Sequence, residues 1–279
     1  MRILVTGAEG MLGHDLMGAL PAEHTTGLSL AETDITDAEA VRRALKLYMP
    51  EVVFHAAAFT NVDGCESDPD TAYRANGLGT RNVAVAADEA GAAVAYVSTD
   101  YVFDGSQDDP YTEFDRPNPI NVYGRSKLAG EIFVREFCRR YWIVRTSWLF
   151  GKHGKNFVQT FLRLARENDE IRVVNDQIGS PTYTRHLAAK IAEIVSSSRF
   201  GTYHVTNAGS CSWFQFAQEI LRLRPARARV IPVASSEYAT PAQRPKNSVL
   251  RNYVLQLEGM SLAERWEGAL AAYLEECRE

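Results

Sequence analysis

Short apolar runs and helical repeats alternate along the first half of the chain. Ile3-Leu4-Val5 is apolar throughout and predicts a buried strand, with glycines directly behind it. Met11, Leu12, Leu16, Met17 and Leu20 recur at helical spacing and predict a helix over 11–20. A second strand ends near 27–30, and an amphipathic helix over 37–48 follows, with Asp37 as its N-cap. Val52-Val53-Phe54 with Ala56-Ala57-Ala58 predicts another buried strand, and a long helix over 70–90 is stopped by Gly91. Strands over 93–97 and 143–144 flank a helix over 123–141. Strands that are apolar throughout and alternate with helices predict a parallel sheet covered on both faces. The glycines behind the first strand favour an open, doubly wound Rossmann-like α/β sheet over a (β/α) barrel, because that turn is where the open fold binds phosphate.

Beyond residue 150 the pattern loosens. Helices are predicted over 156–167, 184–196, 213–223 and 262–277, with extended runs over 171–174, 202–205 and 230–233. Pro225, Pro232, Pro241 and Pro245 mark a smaller, loop-rich α/β lobe. The expected organisation is a dinucleotide-binding domain over 1–150 and a mainly substrate-binding lobe over 151–279, parts of which return to the first domain.

Composition narrows the class. At 279 residues with 46% apolar side chains, the chain can bury a sizeable core, which excludes disorder as its main state. A net charge of −5 supplies no global field for nucleic acid or an anionic membrane. Cys65, Cys138, Cys211 and Cys277 are far apart and form no CxxC pair, so neither a zinc knuckle nor a disulfide framework is expected. No apolar run approaches the ~18 residues of a membrane helix. A cytoplasmic protein with reduced thiols is the expectation.

Three groups of residues carry candidate chemistry. Gly7-Ala8-Glu9-Gly10-Met11-Leu12-Gly13 is a GxxGxxG directly after a strand and opening a helix. Gly7 allows a tight turn, Gly10 a close approach to a pyrophosphate, and Gly13 close helix–sheet packing; the helix N-terminus then offers free N–H groups. No carboxylate is obvious at the end of the second strand, since Glu32 and Asp34 lie beyond it. That favours NADPH over NADH, because a 2′-phosphate meets less repulsion. Tyr123-Gly124-Arg125-Ser126-Lys127 places Tyr123 and Lys127 on one helix face. A lysine cation within about 4–6 Å lowers a tyrosine toward the working range of a proton donor and can also hold a ribose. Thr99, at the C-terminal end of a strand, can donate to a substrate carbonyl and polarise it. Together these point to a nicotinamide-dependent carbonyl site.

These residues resemble the extended short-chain dehydrogenase/reductases, to which Asn76-Gly77-x-Gly79-Thr80-Arg81-Asn82 adds a long-helix signature. Ser98-Thr99-Asp100-Tyr101-Val102-Phe103, Asn121-Val122-Tyr123-Gly124, Arg145-Thr146-Ser147-Trp148, Asn175-Asp176-Gln177-x-Gly179-x-Pro181-Thr182 and Arg244-Pro245-x-Asn247-Ser248 are similar, more narrowly, to the dTDP-4-dehydrorhamnose reductase family. The resemblance implies that Gly7, Gly10, Met11, Leu12 and Gly13 line the cofactor phosphates and that Asp34 and Ile35 border the adenosine. Ala57, Ala58, Phe59 and Thr60 would run along the nicotinamide. Thr99 and Tyr123 would bind the keto group, while Lys127 orients the ribose. Asp100, Tyr101 and Trp148 would contact the sugar, with Val62 close by.

The implied reaction moves hydride to carbon 4 of dTDP-4-dehydro-β-L-rhamnose, with Tyr123 delivering the proton. Trp148 also reads as a plain buried aromatic. Arg244 and Lys246 read equally as a pyrophosphate clamp and as a solvated loop. Some relatives use a divalent ion such as Mg2+ at a dimer interface; Asp15 matches one ligand, the others find no match, and monomer and homodimer both stay open. Among rivals, a nucleotide-sugar dehydratase needs an acid where Tyr101 stands. A 4-epimerase or another nucleotide-sugar 4-ketoreductase needs only the same Tyr and Lys. A non-catalytic regulatory subunit would be expected to lack Thr99, Tyr123 or Lys127.

Overall fold

The computed structural model describes residues 1–278. The main sheet takes six parallel strands in the order β10-β5-β4-β3-β1-β2. These are β1 (Ile3–Thr6), β2 (Thr25–Leu28), β3 (Val52–His55), β4 (Ala93–Thr99), β5 (Tyr141–Thr146) and β10 (Gly201–His204). The short strands β6 (Leu149–Phe150), β7 (Glu170–Val174), β8 (Ile178–Gly179), β9 (Thr182–Tyr183), β11 (Cys211–Ser212) and β12 (Arg229–Val233) pair two by two outside it.

Period-2 alternation explains the layers. Ile3 and Val5 of β1 face a core with Leu12 and Leu16 of α1 (Met11–Ala19) and Leu187 and Ile191 from the 184–196 helix. Leu4, between them, faces the opposite core with Val41 and Leu45 of α2 (Ala38–Tyr48), Val83 and Val134. β1 is therefore buried on both sides, as its unbroken apolar run requires. Asp37 caps α2 by accepting from the Glu39 and Ala40 N–H groups at 2.9 and 3.0 Å. β1 lies between β2 and β3, so the strand order reverses there and opens a crevice above the C-terminal strand ends.

The remaining helices are α3 (Val62–Ser67), α4 (Pro69–Ala72), α5 (Thr80–Glu89), α6 (Val122–Phe137), α7 (Phe157–Glu167), α8 (Thr184–Ser196), α9 (Trp213–Leu223), α10 (Tyr253–Leu257) and α11 (Trp266–Glu276). Phe150, Phe161, Tyr183, Phe216, Trp266 and Leu270 form a separate core for the smaller lobe. Yet α8 packs against α1, and β10 pairs with β5, so the chain returns to the main sheet after residue 180.

Several boundaries differ from expectation. The strand through 56–58 ends at His55, after which Ala56 N–H makes one more bond to Thr6 O and the chain leaves the sheet. The helix over 70–90 is interrupted by a π-helical stretch, Tyr73–Gly79. There, a side chain on Gly79 would run into Ile35 Cδ1 at 2.8 Å. α6 stops at Phe137, because Cys138 turns extended to enter β5. The last helix begins at Trp266 rather than 262. No helix among the described residues is long and apolar enough to cross a membrane.

Candidate active site

The glycine loop follows from steric necessity. Gly7 has φ +71°, and a Cβ on it would stand 2.7 Å from the Ala57 backbone. A Cβ on Gly13 would stand 2.1 Å from the Gly7 carbonyl oxygen, so α1 starts against the loop only with glycine there. Gly10 is the N-cap of α1, with no side-chain cap and no acid in the first turn. The N–H groups of Met11, Leu12 and Gly13 are thus left without intrahelical partners, the arrangement that receives an anion.

A cleft of about 890 Å³ starts at this loop. Gly7, Gly10, Met11, Leu12 and Gly13 line it at α1; Asp34 and Ile35 line it beyond β2; Ala57, Ala58, Phe59 and Thr60 line it beyond β3. Thr99, Asp100 and Tyr101 enter from the end of β4, Tyr123 and Lys127 from α6, Val62 from α3 and Trp148 from beyond β5. Of the candidate residues, Arg244, Lys246 and Asp15 stand outside this cleft, and the others line it together.

The residues present fit a dinucleotide, and NADPH in particular. Glu32 is turned away from ligand duty, because its carboxylate accepts from both the Ser29 N–H and the Ser29 hydroxyl at 2.8 Å. Asp34 is then the carboxylate that lines the cleft beyond β2, and Arg74 adds a cation to the same wall. Neither Ser29 nor Arg74 carried a signal in the sequence. Arg74 sits on the π-helical stretch, whose presence no periodicity announced.

At the reacting end, α6 is anchored by its own polar face. Asn121 caps it by accepting from Gly124 N–H at 2.8 Å, and Gly124 is needed because a Cβ there would lie 2.0 Å from Tyr101 O. Tyr123 and Lys127 follow one turn apart. Lys127 Nζ donates to Val97 O at 2.7 Å and lies 4.2 Å over the Tyr96 ring. Burial lowers this ammonium to about 7. The expectation that Lys127 lowers Tyr123 is not met. Burial pushes the Tyr123 phenol well above its ordinary value, and an ionised Asp100 would push it further, while Lys127 is committed elsewhere. A phenol so raised stays protonated, which suits a proton donor.

One turn further along α6, Glu131 is fully buried. It accepts from Ser98 Oγ at 2.7 Å, from Arg145 Nε and Nη2 at 2.8 Å each, and from Arg135 at 3.0 Å. Sequence reading passed over Glu131, although its spacing from Tyr123 and Lys127 put all three on one face. Asn76, on the π-helical stretch, accepts from Phe59 N–H at 2.8 Å and donates to Ser126 Oγ at 3.0 Å. It thereby ties the 57–60 segment to α6.

The lobe closes the far wall. Trp148 adopts φ +46° and stacks on Trp213 with centroids 3.5 Å apart and planes 5° apart. Trp213, absent from the sequence reading, lines both the cleft and a second cavity of about 370 Å³. Arg244 faces that second cavity. It is neither free nor solvated: its Nη1 and Nη2 donate to the two Asp63 oxygens at 3.0 and 2.8 Å, which joins the lobe to α3.

Asp15 and Glu276 both stand close enough to Tyr183 to raise its phenol. Glu276, the nearby acid on α11, accepts from the Tyr183 hydroxyl and has Lys152 and Arg185 at 3.9 Å. Among the described residues no three His, Cys, Asp or Glu side chains converge as a ligand set.

Comparison with known proteins agrees with this geometry. The family model described as the RmlD substrate binding domain matches residues 1–279. The spore coat polysaccharide biosynthesis protein SpsK of Bacillus subtilis is 40% identical, covering 99% of this chain and 97% of its own. A dTDP-4-dehydrorhamnose reductase of Burkholderia thailandensis is 40% identical, covering 92% of each chain. The crystal structure of dTDP-4-dehydrorhamnose reductase from Bacillus anthracis, in complex with NADP, superposes with a TM-score of 0.96 at 45% identity and covers 99% of each chain. With a parallel sheet of the same kind, the glycine cradle, and the Thr99, Tyr123 and Lys127 constellation all in one cleft, this chain belongs to the dTDP-4-dehydrorhamnose reductase family.

Proposed function

We propose that this chain reduces the 4-keto group of dTDP-4-dehydro-β-L-rhamnose to give dTDP-L-rhamnose, using NADPH. The observation that carries the reading is the shared cleft: the bare N-terminus of α1 opens one end, and Thr99 and Tyr123 face the other. A bound nicotinamide supplies the hydride. Tyr123 donates its phenolic proton to the keto oxygen as negative charge develops there, a contribution of about 10²–10⁴ in rate. Thr99 donates a hydrogen bond to the same oxygen. Lys127 holds the ribose and keeps α6 seated on β4 through Val97 O. Asp100, Tyr101, Val62 and Trp148 border the sugar, and Arg244 meets the nucleotide diphosphate beside the second cavity. A dehydratase is disfavoured by Tyr101, which offers no carboxylate next to Asp100.

On this reading residues 1–150 bind the cofactor and 151–279 mainly the substrate, with α8 and β10 lent back to the sheet. Cys65, Cys138, Cys211 and Cys277 are free thiols, which supports a reducing compartment such as the cytoplasm. The test is NADPH oxidation followed by absorbance with dTDP-4-dehydro-β-L-rhamnose as substrate. Turnover in the native chain and its loss in Tyr123→Phe, with NADPH binding retained, is the expected outcome. An active Tyr123→Phe would remove Tyr123 from the chemistry, and an inert native chain that still binds NADPH would change the substrate.

A further inference from the structure

Thr99 has one hydroxyl proton and more than one claimant for it. Its Oγ1 accepts from the Tyr101 N–H at 3.1 Å and lies 3.0 Å from Asp100 Oδ1. An ionised carboxylate can only accept. With Asp100 ionised, the Thr99 proton is therefore taken by Asp100, and none is left for a substrate oxygen. With Asp100 protonated the direction reverses: the carboxyl O–H donates to Thr99 Oγ1, whose second lone pair already takes Tyr101 N–H, and the Thr99 proton is released to the cleft.

The surroundings of Asp100 favour the neutral form. It is 2% exposed, and its Oδ2 is buried without a hydrogen-bond partner. Tyr101 on its own turn and Tyr123 on α6 face it, both phenols raised by burial. Hydrogen bonding from Ser248, on the C-terminal segment, and from Thr99 opposes the neutral form, and burial outweighs both. The nearby cations are engaged elsewhere: Lys127 on α6 donates to Val97 O, and Arg244 is held by Asp63 of α3. Burial pushes the Asp100 carboxyl up to about 7. An acid kept neutral by its site donates a hydrogen bond where a carboxylate would take one.

We propose that Asp100 acts as a neutral acid and is a positioning residue for Thr99, turning the Thr99 hydroxyl toward the substrate keto oxygen. No proton is consumed in this role; Asp100 keeps its proton throughout the cycle. The proposal rests on the reductase reading. Its consequence is a fall in kcat as pH rises through about 7, because the donating form is the one below that value. Lys127 titrates in the same range, so the native profile alone does not assign the fall.

Asp100→Asn separates the two, since its amide N–H donates to Thr99 at every pH. Steady-state reduction of the keto sugar is measured across neutrality in the native chain, Asp100→Asn and Asp100→Ala. The Asn variant is expected to hold a higher kcat than the Ala variant and to lose the alkaline fall. The Ala variant is expected to drop by about 10²–10³ in kcat with NADPH binding retained. An Asn variant as poor as Ala below neutrality overturns the proposal. So does one that keeps its kcat together with the native fall, which then belongs to Lys127. If Asp100→Asn does not fold, infrared spectra of the native enzyme decide. A neutral-carboxyl band that is lost above neutrality and shifts in Thr99→Val supports the proposal; its absence overturns it. A native chain that fails to reduce the sugar defeats the reductase reading instead, and the infrared band still reports on Asp100.

Discussion

Small differences of geometry decide the chemistry at single residues. Gly13 is a clear case, because the 2.1 Å approach of a Cβ to Gly7 O cannot be relieved without moving α1 or the loop. Gly13→Ala is expected to weaken NADPH binding at least about tenfold, or 1.4 kcal/mol, in a fluorescence titration. Thr99→Val removes a donor from the keto oxygen while leaving the cofactor cradle untouched. It should lower kcat by about 10²–10³ and leave the Kd for NADPH unchanged. Tyr123 illustrates why residue type alone misleads. A Tyr-xxx-Lys pair suggests a phenol lowered by its lysine, yet burial dominates and raises it, since Lys127 is turned to Val97 O and the Tyr96 ring.

The elements are held in place by buried polar links rather than by apolar packing alone. Glu131 of α6 is bound by Ser98 of β4 and Arg145 of β5, so one carboxylate fixes α6 to two adjacent strands. Burial opposes its charge most strongly, but Arg145, Arg135 and the Ser98 hydroxyl together outweigh burial and hold Glu131 below the usual carboxylate range. Glu131→Gln leaves Arg145 buried without a counter-charge and is expected to cost about 3–5 kcal/mol in urea unfolding. Apolar periodicity revealed α6 but not its anchor, because a buried ion pair joins positions distant in sequence. The π-helical stretch escaped for a related reason. On it, Asn76 bonds Phe59 and Ser126, positions 17 and 50 residues away in the chain.

The whole molecule couples two lobes across the cleft. Asp63 of α3 and Arg244 of the C-terminal segment form a paired contact beside the second cavity, and the same arginine is the one proposed to meet the diphosphate. Arg244→Ala should raise KM for the nucleotide sugar by about tenfold or more with little change in kcat, as expected when binding is lost equally from ground and transition states. Stability has its own pH signature. His55 and His204 are fully buried, and burial lowers each to about 3. Both are neutral in the native state and protonated on unfolding below about 6.5, so their contribution is complete above that value and is lost as pH falls toward 3. Thermal melts should show Tm falling across this window, and His204→Gln should reduce the slope.

By itself the sequence determined the parallel sheet, most helix positions, the glycine cradle and the Thr99, Tyr123 and Lys127 set. Each of these is local: hydrophobic period, cap chemistry and short spacing act within a few residues of one another. Only the tertiary structure decided which polar groups share protons and charge. Trp213 against Trp148, Arg244 on Asp63, Glu131 between Ser98 and Arg145, and the return of residues 184–204 to the sheet all join distant segments. Such contacts depend on how strands are ordered and how helices cross, and burial then sets the protonation that the chemistry uses.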